Sequence, residues 1–134
     1  MSAANQEVIH AYRHLYRAAL RAVQYSKPAR FAARDTLREA FREPGASLRP
    51  EPVRRTVWFL KQAAREAGIE HRIVRNLLRT AWARRRDASV PWATVVRRGE
   101  RKEERNRDKI KETAYKHYEM TIAMLNHTMG LCLR

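Results

Sequence analysis

The chain has 134 residues, with 29 Lys+Arg against 14 Asp+Glu and a formal net charge of +15. That length fits one domain of about 100 to 200 residues, and 44% hydrophobic residues with four glycines and five prolines exclude collagen-like, linker-like and charge-driven disordered chains. A single cysteine excludes an intrachain disulfide and a multi-thiolate metal site, and the longest apolar runs hold four residues, against the roughly 20 of a membrane-crossing helix.

In chain order, Val8, Tyr12, Leu15, Tyr16, Ala19, Leu20 and Val23 recur at the spacing of a buried helical stripe, predicting a first helix from Glu7 to about Gln24. Arg13, Arg17 and Arg21 stand at four-residue steps on its other face. Ser26 and Pro28 read as an N-terminal cap and first-turn proline for a second helix that ends near Arg42, before Pro44-Gly45. Its inward positions are Phe31, Ala33, Leu37, Ala40 and Phe41, and Arg30, Arg34, Arg38 and Arg42 form a second row. After a proline-rich turn, Val53, Val57, Leu60, Ala64 and Ala67 predict a third helix stopped by Gly68.

A fourth helix, Glu70 to about Arg86, places Ile73, Val74, Leu77, Leu78, Ala81 and Trp82 inward and ends on Arg84-Arg85-Arg86, favourable at a helix C-terminus. Ser89-Val90-Pro91 breaks the chain. Residues 97–108 are nearly all charge of mixed sign, suiting an exposed helix, and the apolar spacing resumes at Ile110, Ala114, Tyr118, Ile122, Leu125 and Met129, predicting one long final helix that frays near Gly130. No useful stretch alternates with period two, so the expected class is all-α.

The basic excess runs through the whole chain, with net charges of +5, +7 and +3 over residues 1–50, 51–100 and 101–134. Self-repulsion of that size does not help an isolated fold, so a polyanionic partner is expected: RNA, DNA, an acidic protein or an anionic membrane surface. Arg84, Arg85, Arg86, Arg97 and Arg98 are the candidate RNA-binding cations, with Trp82 and Trp92 near them for stacking. Trp82 has a structural alternative as a helix-interface residue. His10 and His14 have metal-binding spacing but no completing ligand; Cys132 and His127 have no third group to orient them; and no two glycines lie close enough for a phosphate loop. No active site is expected, and the chain reads as non-enzymatic.

Leu15-Tyr16-Arg17, Leu20-Arg21 and the segment Leu37-Arg38-Glu39-Ala40-Phe41-Arg42 together resemble the LYR-motif family. The similarity covers about residues 8 to 67, so the chain divides into 1–67, a three-helix LYR-type bundle, and 68–134, a basic helical extension that the family pattern does not explain. The resemblance implies a mitochondrial adaptor for acyl-carrier protein. No cofactor is then bound directly; the partner's acyl-phosphopantetheine would enter an apolar interior lined by Leu15, Leu20, Phe41, Val57 and Leu60. Tyr16 and Arg17 match the signature, and Phe41 matches the downstream aromatic. Arg21, Arg34, Arg38, Arg42, Arg54, Arg55 and Lys61 would hold the acidic carrier. Tyr16 and Phe41 also suit ordinary core positions, and Arg17 an ordinary solvated one.

Within the family, Tyr25 and Val57-Trp58-Phe59-Leu60 are similar to the branch acting in mitochondrial ribosome assembly. The partners so implied are mitochondrial acyl-carrier protein and the large ribosomal subunit, through its RNA and proteins. Two alternatives stay open: an RNA-binding mitoribosomal protein without a carrier partner, and an LYR subunit or assembly factor of a respiratory complex. No long Arg- and Ser-rich leader stands at the start, whereas residues 8–34 carry six basic and no acidic side chains on an amphipathic helix. The expected location, the mitochondrial matrix, rests on the resemblance.

Overall fold

A computed structural model describes residues 2–134, and among them the chain forms helices and no strands. The elements are α1 (Ala3–Ala22), α2 (Ala29–Arg42), α3 (Pro50–Arg65), α4 (Ile69–Ala88), α5 (Trp92–Glu100) and α6 (Lys102–Met129). The all-α expectation is met. Helix α1 packs against α2 and α3, α4 closes the bundle against α2 and α3, and α5 lies on α6.

Small residues let the first helices approach closely: Ala18, Ala22, Ala32, Ala33 and Ala63 are all buried. Phe59, 1% exposed, is the largest fully buried side chain, and its burial contributes roughly 1.5–3 kcal/mol. The buried cluster joins Leu15, Ala19 and Val23 of the α1 region to Ala33, Phe59 and Leu60, then continues into Val74 and Leu77 of α4 and Leu131 and Leu133 at the C-terminus. The fourth helix therefore shares one core with the first three.

Several local expectations change. Ser26 does not cap α2; its hydroxyl donates to the Val23 carbonyl (2.7 Å), and Pro28 precedes the first helical residue without a side-chain cap. Phe31 lies outward, with the Arg30 and Arg34 guanidiniums 4.8 and 5.3 Å from its ring centre. On α3 the buried face is Thr56, Phe59, Leu60 and Ala63, turned from the expected stripe because the helix packs on both α1 and α4. Gly68 does not stop α3, which ends at Arg65; it precedes α4 instead. Trp82 is 41% exposed rather than inward.

The long final helix is interrupted at Arg101, whose backbone is extended. Gly99 weakens helix there by about 1 kcal/mol relative to alanine, and Arg97–Arg101 and Arg98–Lys102 set like charges four residues apart. At its other end α6 does not fray. Gly130 turns with φ 65°, and the Leu131 amide donates back to the Asn126 carbonyl (3.1 Å), closing the helix in a left-handed cap. A Cβ at Gly130 would meet the Arg55 side chain at 3.0 Å, so both backbone and space favour glycine there.

Candidate ligand-binding slot and basic surface

Between α1, α2, α3 and α4 lies an apolar slot of about 260 Å³. Of the five residues expected to line an apolar interior, Leu15, Phe41 and Leu60 line this slot. Leu20 and Val57 do not line it: both are half-buried elsewhere on their helices. The sequence reading missed Val53, Val74, Leu77, Cys132 and Leu133, which complete the walls. Val74 and Leu77 read as inward on their own helix within residues 68–134, and the fold turns that helix onto the slot. The tail's one signal was a left-handed-prone glycine followed by Leu-Cys-Leu.

Aromatic rings buttress one side. Tyr16 stacks on Tyr12 at 5.9 Å, and Tyr12 meets Phe41 edge-on at 5.3 Å. The Leu-Tyr-Arg tyrosine therefore supports a slot residue through a neighbour, while Arg17 and Arg21 lie exposed on α1.

Beside the slot is a charged groove of about 790 Å³, bordered by Arg38, Arg42, Arg84, Arg85 and Arg134 and by Asp35, Glu39 and Glu43. Thr36, Ala40, Leu77 and Arg134 belong to both hollows, so the apolar slot and the arginine-bordered groove are contiguous. An apolar chain with an anionic head suits such a pair: each buried methylene contributes about 0.8 kcal/mol, and guanidinium forks match phosphate oxygens.

The remaining cations divide into braces and free groups. Arg34 binds its neighbour Asp35 (2.8 Å); that hydrogen bond holds the Asp35 carboxyl below its usual range. Arg54 pairs with Glu51 (2.9 Å), and Arg55 donates to the Met129 carbonyl (3.3 Å). Lys61 is exposed.

Of the cations expected to bind RNA, two are engaged within the chain. Arg84 pairs with Glu119 (2.8 Å), and its guanidinium carbon lies 4.3 Å from the centre of the Tyr115 ring, tying α4 to α6. Arg85 grips Glu39 through two nitrogens (3.2 and 2.9 Å) and reaches Thr36 (3.3 Å), tying α4 to α2. Arg86 lies 5.4 Å from the Trp82 ring centre and is exposed, as are Arg97 and Arg98. Trp92 is 79% exposed on α5. The open cation–aromatic surface is thus Arg86, Arg97 and Arg98 with Trp82 and Trp92.

Among the described residues, no cluster of three or more His, Cys, Asp or Glu side chains could hold a metal, and no helix is long and apolar enough to cross a membrane. Neither a family model nor a solved structure matches the chain. It is similar to UPF0593 mitochondrial protein C806.05 of Schizosaccharomyces pombe, with 39% identity over 79 residues, covering 57% of this chain and 63% of that protein's length.

Proposed function

We propose that this protein is a non-catalytic mitochondrial adaptor of LYR type. It takes the hydrocarbon chain of an acylated acyl-carrier protein into the slot and presents the pair to the large mitochondrial ribosomal subunit in the matrix. The observation that carries this reading is the contiguity of the apolar slot at Leu15, Phe41 and Leu60 with the arginine-bordered groove at Arg38 and Arg42. An acyl-phosphopantetheine offers apolar chain and phosphate in that order, and an acidic carrier complements a chain of net charge +15. The similarity to a mitochondrial protein of fission yeast supports a mitochondrial location. The exposed Arg86, Arg97, Arg98 and Trp92 support an RNA-rich docking target.

The proposal separates by mutation. Phe41→Asp puts a charge on the slot wall and abolishes co-purification of the carrier with the tagged chain. Reversing Arg97 and Arg98 to glutamate leaves the carrier bound and shifts the chain off ribosomal fractions in a sucrose gradient. Retention of the carrier by Phe41→Asp contradicts the first half; equal loss of carrier and ribosome in the double reversal contradicts the division of labour. Tight, salt-sensitive RNA binding with no carrier in any preparation favours the plain RNA-binding alternative.

A further inference from the structure

The C-terminal pentapeptide does not trail into solvent. After the turn at Gly130, Leu131 and Leu133 are buried at 6% and 9% exposure within the same cluster as Leu15 and Leu60, and Cys132, Leu133 and Arg134 form one wall of the slot. Three of its backbone amides and one carbonyl are engaged. The amides of Leu131, Cys132 and Leu133 donate in turn to the Asn126 carbonyl (3.1 Å), the Thr56 hydroxyl (3.0 Å) and the Asn126 side-chain oxygen (2.9 Å). The Asn126 amide nitrogen returns a bond to the Leu133 carbonyl (2.8 Å). Arg134 closes the segment by an ion pair with Glu43, at the border shared by slot and groove.

Resting on the reading of the slot as an acyl-chain site, we infer that the tail Leu131–Arg134 is a built-in plug, which a long incoming hydrocarbon chain displaces. An engineered apolar cavity of about 150 Å³ holds benzene, so the observed 260 Å³ takes about ten carbons by the same ratio. Withdrawal of the Leu133 side chain from the wall would extend the space for a longer chain. The tail is suited to exchange because few bonds hold it: polar contacts to one asparagine, one threonine and one glutamate, plus two isobutyl groups that a hydrocarbon replaces like for like. Arg134 would be released from Glu43 as the anionic headgroup reaches the groove. For chains longer than the slot alone holds, only the tail-out state is competent, and its small population lowers their apparent affinity, so the tail discriminates against long chains while shorter ones enter without displacing it.

Hydrogen exchange on the full-length chain tests this, using as probes acyl-carrier protein bearing a tetradecanoyl chain on its phosphopantetheine and the same carrier with a bare thiol. The acylated carrier should speed exchange at the Leu131, Cys132 and Leu133 amides by about tenfold or more, and the thiol form should leave them protected. Asn126→Ala, which frees the tail without altering a slot-lining residue, should bind the acylated carrier about tenfold tighter. Binding of the acylated carrier with undiminished protection of the three amides overturns the plug and leaves the slot reading standing. Failure of both the wild-type chain and Asn126→Ala to bind either carrier overturns the slot reading, and the plug with it.

Discussion

The bundle α1–α4 and the arm α5–α6 are both rich in charge and put it to different uses. In the bundle, arginines tie helices together: Arg85 spans α4 to α2 through Glu39 and Thr36, and the apolar residues converge on Phe59. In the arm, no residue of α5 is buried, Trp92 and Val95 are 79% and 51% exposed, and Arg97 and Arg98 face outward. Only the C-terminal half of α6, through Tyr118, Ile122, Leu125 and Met129, rests on the core. Packing within the chain, with the end of α6 and the tail contributing, thus accounts for the bundle, and the arm's exposed tryptophan and arginines are what a partner would cover.

The largest expected effect breaks the bundle. Phe59→Ala should cost about 3–5 kcal/mol, read as a lowered denaturation midpoint, because nothing around a 1% exposed ring can close the hole without moving α1 or α4. Trp92→Ala, at the other extreme of exposure, should lie within about 0.5 kcal/mol of the parent. Comparable losses in the two variants would erase the distinction between the regions.

A smaller effect sharpens the boundary between them. Gly130→Ala should cost about 1 kcal/mol for the left-handed backbone alone, with a further penalty from the Arg55 contact, and should loosen the tail without melting α1–α3. A thermal midpoint unchanged from wild type would show that the turn is not held as described. Arg85→Ala should cost about 1 kcal/mol, since the guanidinium is only partly exposed while its partner Glu39 is well exposed. A double-mutant cycle with Glu39→Ala isolates the pair.

The smallest effect is electrostatic. Asp87 accepts a hydrogen bond from Lys111, and this contact, tying α4 to α6, holds the carboxyl below its ordinary range. A carboxyl depressed in the folded state contributes stability above its unfolded value, about 3.9, and loses that contribution as pH falls through the folded value. Asp87→Asn should therefore flatten a little of the acid limb of the stability curve and leave the region above pH about 5 shifted by a constant. An acid limb identical to wild type would show that the pair contributes nothing measurable.

How much of this was legible in the sequence depends on whether a signal was local. Helical class and the breaks at Pro44-Gly45 and Pro91 follow from periodicity and breakers, and they hold. The face of α3 did not follow, because a helix between two neighbours buries a wider arc than one stripe reveals: Thr56 and Phe59 lie inward, and Val53 and Val57 only partly so. The break at Arg101 was readable from Gly99 and the like charges around it, but the surrounding mixture of charge suggested continuity. The tail was least legible. Its burial depends on Asn126 and Thr56, 7 and 76 residues away from their partners in the chain, and no short-range pattern encodes such pairings. Leu20 and Phe41 make the same point within the slot, since both fit helical stripes and only Phe41 faces the hollow.

Native mass spectrometry of the tagged chain, purified intact from mitochondria, tests the central claim most directly. The account predicts a one-to-one assembly with a small acidic protein carrying a phosphopantetheine mass extended by a fatty-acyl chain, lost on Phe41→Asp. A chain that emerges alone or with RNA only, or a carrier retained with a bare thiol arm and indifferent to Phe41→Asp, would contradict it.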